Sequence, residues 1–264
     1  MTLTGTAAGV PYLAVPPATP SPDAPVVLAW HLLDSPRTPA ALAAALPLDG
    51  LDAWRVYLGL PMTGDRLPEG GWPEVIRLAS EDAVRNMHRP VVYGGAEEFA
   101  AAWPELKQAL QVEPRSLGVV GGSMGAAVAQ LVALESGLDI EAAVLVSPVV
   151  QLRAAVAAVG RRYGIAYPWT AETDAVAERL DFVARAAEFG PTQVLLVVGE
   201  EDDREGFLDP SAALAEALGG RGRLATIPGM GHSLADEPGT DPAPQTPHAA
   251  AVDRLATGWL RERL

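Results

Sequence analysis

The strongest constraint on the fold of this chain is the alternation of short apolar runs with segments of helical periodicity. Residues 26–30, 142–146 and 193–198 are almost entirely apolar, and the segments between such runs carry apolar residues at helical spacing. Strands that are apolar on both faces are typical of a parallel sheet covered by helices on each side. The alternation therefore predicts an α/β fold with a mostly parallel central sheet.

The boundaries of the predicted elements follow from this periodicity and from Pro and Gly punctuation. Strands are predicted at 10–16, 26–30, 53–60, 117–120, 142–146, 193–198 and 223–227. Helices are predicted at 40–46, 73–89, 96–110, 126–134, 174–189, 210–218 and 248–263. The Pro-rich residues 1–25 are expected to supply one edge strand, because Pro is confined to strand edges or ends. No strong linker divides the chain, so we expect one domain over 1–264, with 149–190 as a small helical cap.

Composition narrows the class of protein. The chain has 264 residues, a formal net charge of −14 and no Cys. Its acidity disfavours nucleic acid and anionic membranes as partners. The first residues show no basic stretch followed by an apolar run, and no segment approaches a membrane span, so a soluble cytoplasmic protein is expected. The oligomeric state is left open.

One pentapeptide carries a chemical signal. Gly121-Gly122-Ser123-Met124-Gly125 lies between a predicted strand and a predicted helix. This spacing and context are typical of a nucleophile elbow, in which a Ser sits on a sharp turn that leaves no room for neighbouring side chains. The N–H groups that begin the following helix would lie where negative charge develops during acyl transfer. A Gly-rich turn without chemistry is the alternative interpretation.

Acidic and basic side chains follow later strands of the predicted sheet. Asp202 and Asp203 come after the strand at 193–198, and His232 comes after the last strand. Ligands of open α/β sheets bind at the carboxyl ends of the strands. A nucleophile, an acid and a base in the order Ser, Asp, His at these ends favour a catalytic triad.

These motifs resemble those of the α/β-hydrolase superfamily, and most closely those of small bacterial esterases related to dienelactone hydrolases and prolyl-oligopeptidase-like esterases. The resemblance covers about residues 10–264. It implies that Ser123 attacks an acyl carbonyl, that His232 transfers the proton and that Asp202 orients the imidazole. The family's strand-then-G-x-x-D spacing favours Asp202 over Asp203, which is then a solvated turn residue.

The resemblance also implies an oxyanion hole made of two main-chain N–H groups. Met124 should supply one of them, and Leu32 or Leu33, in the loop after the first main strand, the other. Related proteins commonly have His-Gly-x in this loop, whereas this chain has His31-Leu32-Leu33. A Leu in place of the Gly is expected to narrow the acyl site, and His31 is expected to hold the loop.

The walls of a substrate pocket are harder to predict. Aromatic residues of the 149–190 segment could line it if the segment lies above Ser123, or they could pack that segment onto the sheet. The candidate pocket residues are His31, Tyr163, Tyr167, Trp169 and Phe182.

No cofactor or metal is expected, because the four His residues show no ligand spacing and no nucleotide-binding fingerprint occurs. The function predicted from the sequence is a serine hydrolase that cleaves a small or medium-sized carboxylic ester through an acyl-enzyme. The alternatives are a peptidase, amidase or acyltransferase with the same triad, and a non-catalytic binding protein of the same fold.

Overall fold

One eight-stranded sheet organises the computed structural model, which describes residues 2–264. The spatial order of the strands is β1-β2-β4-β3-β5-β6-β7-β8, with β3 to β8 parallel and β1 and β2 antiparallel at one edge. The strands are β1 (Leu3–Ala7), β2 (Val10–Val15), β3 (Val26–Trp30), β4 (Trp54–Leu58), β5 (Leu117–Gly122), β6 (Ile140–Val146), β7 (Gln193–Gly199) and β8 (Gly222–Ile227). The predicted α/β-hydrolase architecture is confirmed.

Helices cover both faces of the sheet and create two apolar cores. They are α1 (Pro39–Ala45), α2 (Gly71–Glu81), α3 (Arg89–Leu110), α4 (Met124–Glu135), α5 (Leu152–Tyr163), α6 (Ala171–Arg179), α7 (Asp209–Leu218) and α8 (Pro247–Arg261). Buried residues of α1 and α8 pack on one face, and those of α3, α4 and α7 pack on the other. This double cover explains why β3, β4 and β5 are buried along their whole length.

The N-terminal segment forms two strands, whereas the sequence predicted one. β1 pairs with β2 through a tight turn at Ala8 and Gly9, both with positive φ. Most of β1 is exposed, so it lacks the apolar pattern by which the other strands were found. Its backbone pairing with β2 is what forms it.

Three helix boundaries differ markedly from prediction. The helix predicted at 73–89 ends as α2 at Glu81. α3 begins at Arg89 and follows a π-helical turn, Val84–His88, instead of beginning near 96. The helix predicted at 174–189 ends at Arg179, because Asp181 forms an isolated bridge with Gln151. The Gln151 side-chain amide also donates to both carboxylate oxygens of Asp181 at 3.0 Å, which fixes the chain in a non-helical course.

The turns after β3, β5, β7 and β8 lie at the carboxyl edge of the sheet, because all of these strands run in the same direction.

Within residues 2–264, no helix has the length and apolar character needed to cross a membrane.

A buried imidazole in the π-helical turn gives a prediction about stability. His88 is 5% exposed, and its Nδ1 is buried without a hydrogen-bond partner in the described chain. Burial lowers the pKa of His88 from 6.5 to about 4. The unfolded chain therefore binds more protons than the folded chain between these values, and stability should fall as the pH decreases through that range.

We expect His88→Leu to flatten this dependence, since Leu cannot take up a proton. In the wild type, His88 should lower the free energy of unfolding by about 2 kcal/mol between neutral pH and pH 5, and the variant should lack this decrease. Urea unfolding of both proteins between pH 4.5 and 8 measures the difference. Identical pH slopes would contradict the buried neutral state of His88.

Candidate active site

The turn between β5 and α4 presents Ser123 at the carboxyl edge of the sheet. Ser123 has a φ of 49° and a ψ of −115°, a strained conformation for a residue with a side chain. Its surroundings hold it there: a Cβ at Gly125 would overlap the carbonyl oxygens of Trp30 and His31, and one at Gly121 would overlap the backbone of α4. Both glycines of the motif are therefore required by close backbone approach, as the sequence predicted.

Three side chains from separate turns form a continuous hydrogen-bonded chain. His232 Nε2 lies 2.8 Å from Ser123 Oγ, and His232 Nδ1 lies 2.9 Å from Asp202 Oδ2. The Asp202 side chain is only 3% exposed, whereas the His232 side chain is 21% exposed. The structure thus brings together the three residues that the sequence nominated for the triad, with Ser123 and the Asp202 carboxylate buried and the imidazole partly exposed.

The turns that carry Asp202 and His232 are joined by their backbones. Glu201 donates its N–H to the carbonyl of Met230 at 2.9 Å. Gly199 is packed so closely on the same carbonyl that a Cβ would overlap it. This contact joins the two turns that carry the carboxylate and the imidazole.

Asp203 has a different environment from its neighbour. Its carboxylate accepts the N–H of Gly206 at 2.7 Å and pairs with Arg161 at 2.6 Å. It begins the π-helical turn Arg204–Leu208 and is partly exposed. The geometry therefore couples Asp202, and not Asp203, to the imidazole.

Several groups act on the charge of His232. Burial of the ring disfavours the imidazolium, but the hydrogen bond and charge of Asp202, together with the charge of Asp34, outweigh it and raise the pKa of His232. Asp34 Oδ2 lies 3.6 Å from Nε2. The ring of Phe207 lies against the imidazole with a centroid separation of 4.3 Å. These contacts hold the ring in place and favour its protonated form.

The loop after β3 corrects one of the expected oxyanion donors. The N–H of Leu32 donates to the carbonyl of Pro36 at 3.1 Å, so it is not free for a substrate. Its side chain is fully buried beneath the elbow, where a Cβ at Gly122 would overlap it. Leu32 therefore does not narrow the acyl site, because its side chain points into the core and the elbow glycine makes room for it.

The two remaining main-chain candidates keep their N–H groups available. Met124 is the first residue of α4, where backbone N–H groups have no intrahelical acceptor. The N–H of Leu33 has no acceptor within the described chain.

His31 belongs to the structural support of the site and not to a pocket. It is fully buried, its Nδ1 lies 2.6 Å from the carbonyl of Leu32, and its Nε2 accepts the N–H of Leu60 at 3.2 Å. Burial lowers the pKa of His31 to about 4, so the ring stays neutral. It ties the β3 loop to the end of β4, as expected, but its place among the predicted pocket residues was wrong.

The aromatic residues of the 149–190 segment have separate positions. Phe182 is fully buried in the core, and Tyr163 is 67% exposed, so neither walls a pocket. Tyr167 and Trp169 pack edge to face, and the Tyr167 hydroxyl bonds the carboxylate of Asp82. These two residues line a surface depression of about 520 Å³ on the helical segment.

The helical segment begins beside the nucleophile. Val149 donates its N–H to the carbonyl of Ser123 at 3.2 Å. Farther along, Ala158 packs tightly on Gly206: a Cβ added at Gly206 would lie 2.6 Å from the Cβ of Ala158. Arg161 pairs with Asp203. The segment therefore flanks the Asp202 side of the site.

Sequence reasoning missed two residues that contact His232. Asp34 follows the first main strand by a few residues, so its position at a strand end was a usable signal. Phe207 lies in a π-helical turn, for which the sequence has no recognisable pattern. No cluster of three potential metal ligands occurs in residues 2–264.

Comparison with protein-family models assigns the chain to a family. The model of the prolyl oligopeptidase family matches residues 87–241, more than half of the sequence, including the elbow and both later turns. The chain belongs to the prolyl oligopeptidase family. Membership in the prolyl oligopeptidase family identifies it as a serine hydrolase of the α/β-hydrolase fold. No curated protein matches the sequence.

Solved structures show the same fold at low sequence identity. TT1662 from Thermus thermophilus is 21% identical with a TM-score of 0.67, over 99% of this chain and 97% of that one. A dienelactone hydrolase from Anabaena variabilis is 16% identical with a TM-score of 0.58, over 100% and 97%. A puromycin-hydrolyzing peptidase from Mycobacterium tuberculosis is 17% identical with a TM-score of 0.68, over 100% of this chain but 39% of that one.

The charges around His232 predict a measurable titration. Because Asp202 and Asp34 favour the imidazolium, the pKa of His232 should lie above 6.5, and Asp34→Asn should lower it. NMR titration of the His232 ring measures both values. Asp236→Asn, which removes an exposed carboxylate farther along the chain, is the matched control and should leave the pKa of His232 where it is. An unchanged value in Asp34→Asn would contradict the assigned contact.

Proposed function

We propose that this protein hydrolyses small or medium-sized carboxylic esters through an acyl-enzyme on Ser123. The proposal is carried by one observation, the hydrogen-bonded chain from Ser123 Oγ through His232 to Asp202. Its arrangement is that of a nucleophile, a general base and a carboxylate that orients the base. The imidazole is partly exposed, which supports approach of a substrate from the His232 side.

In the first half-reaction, Ser123 Oγ attacks the ester carbonyl carbon while its proton passes to His232 Nε2. The carbonyl oxygen becomes an oxyanion, which the main-chain N–H groups of Met124 and Leu33 would stabilise. When the C–O bond to the alcohol breaks, Nε2 returns the proton to the leaving oxygen. Water then attacks the acyl-enzyme by the same route and releases the acid.

Asp202 stays ionised throughout this sequence. Its hydrogen bond to Nδ1 fixes the tautomer in which Nε2 is free to accept the proton, and its charge stabilises the imidazolium. The raised pKa of His232 shifts the acid limb of activity to higher pH, because the neutral imidazole is the form that accepts the proton.

The extent of structural similarity supports an ester as substrate. This chain covers 97% of the dienelactone hydrolase but 39% of the puromycin-hydrolyzing peptidase. The family's name and its match to this chain favour a second candidate, a peptidase or amidase that uses the same three residues. An acyltransferase would differ only in the acceptor that replaces water.

We further propose that the 149–190 segment acts as a minimal cap. Its support is the contact of Val149 with Ser123 and of Arg161 with the turn that carries Asp202. A cap in this position would limit the size of the acyl group.

A fluorophosphonate probe tests the nucleophile. The wild-type protein should be labelled, and Ser123→Ala should lose labelling and about 10⁴-fold or more of its kcat/KM on p-nitrophenyl esters. Ser80→Ala, an exposed Ser on α2, is the control and should behave as wild type. Failure of the wild type to react with the probe would reject every catalytic proposal. Comparison of p-nitrophenyl esters with aminoacyl-nitroanilides then distinguishes an esterase from a peptidase.

The two adjacent carboxylates give a paired test. Asp202→Asn should lower kcat by about 10³–10⁴-fold, because it removes the charge that stabilises the imidazolium. Asp203→Asn should cost less than about tenfold, since its carboxylate bonds Gly206 and Arg161 instead. Steady-state kinetics on one p-nitrophenyl ester measures both. Equal losses would contradict the role given to Asp202.

A further inference from the structure

A carboxylate stands next to the atom that would protonate the leaving group. Asp34 Oδ2 lies 3.6 Å from His232 Nε2, the same nitrogen that lies 2.8 Å from Ser123 Oγ. The Asp34 side chain is 55% exposed, so it faces solvent at the mouth of the site. The neighbouring residues Leu33 and Ser35 are buried, which makes Asp34 the exposed member of this part of the loop.

The loop that carries Asp34 is firmly held. Ser35 accepts the N–H of Leu234 at 3.0 Å through its carbonyl, and its hydroxyl donates to the carbonyl of Asp236 at 2.8 Å. Gly239 packs so closely on Ser35 that a Cβ there would overlap it. The segment that follows His232 therefore fixes the backbone of the loop at Ser35, next to Asp34.

Asp34 is paired with no Arg or Lys in the described chain. Arg37, the nearest basic residue along the loop, is engaged elsewhere: it pairs with Glu237 at 2.6 Å and lies over the ring of Trp72 at 4.5 Å. The protein as a whole carries a net charge of −14. Asp34 therefore adds a negative charge beside the site, and within the described chain its charged partner is His232 when the imidazole is protonated.

We propose that Asp34 selects substrates whose leaving alcohol carries a positive charge. The inference rests on the proposed ester hydrolase function. Asp34 is a specificity-determining residue in this assignment, and the substrate class is an ester of a cationic amino alcohol.

The side of the scissile bond follows from the geometry. In the collapse of the tetrahedral intermediate, the C–O bond breaks and Nε2 gives its proton to the alcohol oxygen, which must lie about 3 Å from Nε2. Because Asp34 is next to this nitrogen, we place it on the alcohol side of the scissile bond. A cation two carbons beyond the ester oxygen would come within about 4–6 Å of the carboxylate, where unlike charges attract appreciably even beside water.

The test compares two esters that differ in one atom. Butyrylcholine has a quaternary nitrogen where 3,3-dimethylbutyl butyrate has a carbon, and the release of acid from both can be followed by pH-stat titration. The wild-type protein should have a kcat/KM for the cationic ester about three- to tenfold above that for the neutral one, given a partly screened charge pair. Asp34→Asn should bring this ratio close to one.

Asp236→Asn is the matched control for the change in net charge. Its side chain is exposed, and its loop contact with Ser35 uses the main-chain carbonyl, so the ratio should stay at the wild-type value. Addition of 0.5 M NaCl should reduce the preference of the wild type, because salt screens exposed charges.

The outcomes separate the two proposals. Hydrolysis of the neutral ester, lost in Ser123→Ala, combined with a ratio that Asp34→Asn does not change, would overturn the role of Asp34 alone. A wild-type protein with no preference for butyrylcholine would do the same. Hydrolysis of neither ester, with no fluorophosphonate labelling, would reject the proposed function and the inference that rests on it.

Discussion

The close approach of backbones at the carboxyl edge of the sheet is the constraint on which the site depends. At Gly125 the elbow helix rests on the carbonyls of Trp30 and His31, and at Gly199 the end of β7 rests on Met230. Both contacts join neighbouring turns without intervening side chains. The turns that carry Ser123, Asp202 and His232 are thus positioned by main-chain contacts, and the side chains of Phe207 and Asp34 contact the imidazole within this frame.

Much of this arrangement could be predicted from sequence, because the parallel strands have a recognisable pattern. Each is a buried apolar run, and parallel strands bring their ends to one edge. The elbow and the two later turns could then be placed at that edge from the residues alone. β1 escaped prediction because it is largely exposed and owes its existence to pairing, and α6 ended early because Gln151 and Asp181 pair across the chain. The strand β1 depends on backbone pairing, and the end of α6 depends on a contact between residues far apart in the chain. Local hydrophobic patterns in the sequence contain neither kind of information.

The loop after β3 shows how a departure from a family pattern can be accommodated. A Leu stands where related chains commonly have Gly, and the sequence suggested that its side chain would crowd the substrate. Instead Leu32 turns inward beneath Gly122, and its N–H is taken by Pro36. The side chain of Leu32 occupies the space that Gly122 leaves free, so the role of either residue is clear only when the other is considered. His31 supports the same loop from within, neutral and hydrogen-bonded on both ring nitrogens.

The π-helical turn Arg204–Leu208 has a consequence for how the site could change. A π-helical turn holds one more residue than an α-helical turn, and it directs the side chains that follow it to a different side. Phe207 lies within this turn and packs on the His232 ring. Loss of a single residue here would let the turn become α-helical and swing the phenyl ring away. The length of this short segment, together with the phenyl ring it carries, therefore bears on how the imidazole is packed on that side.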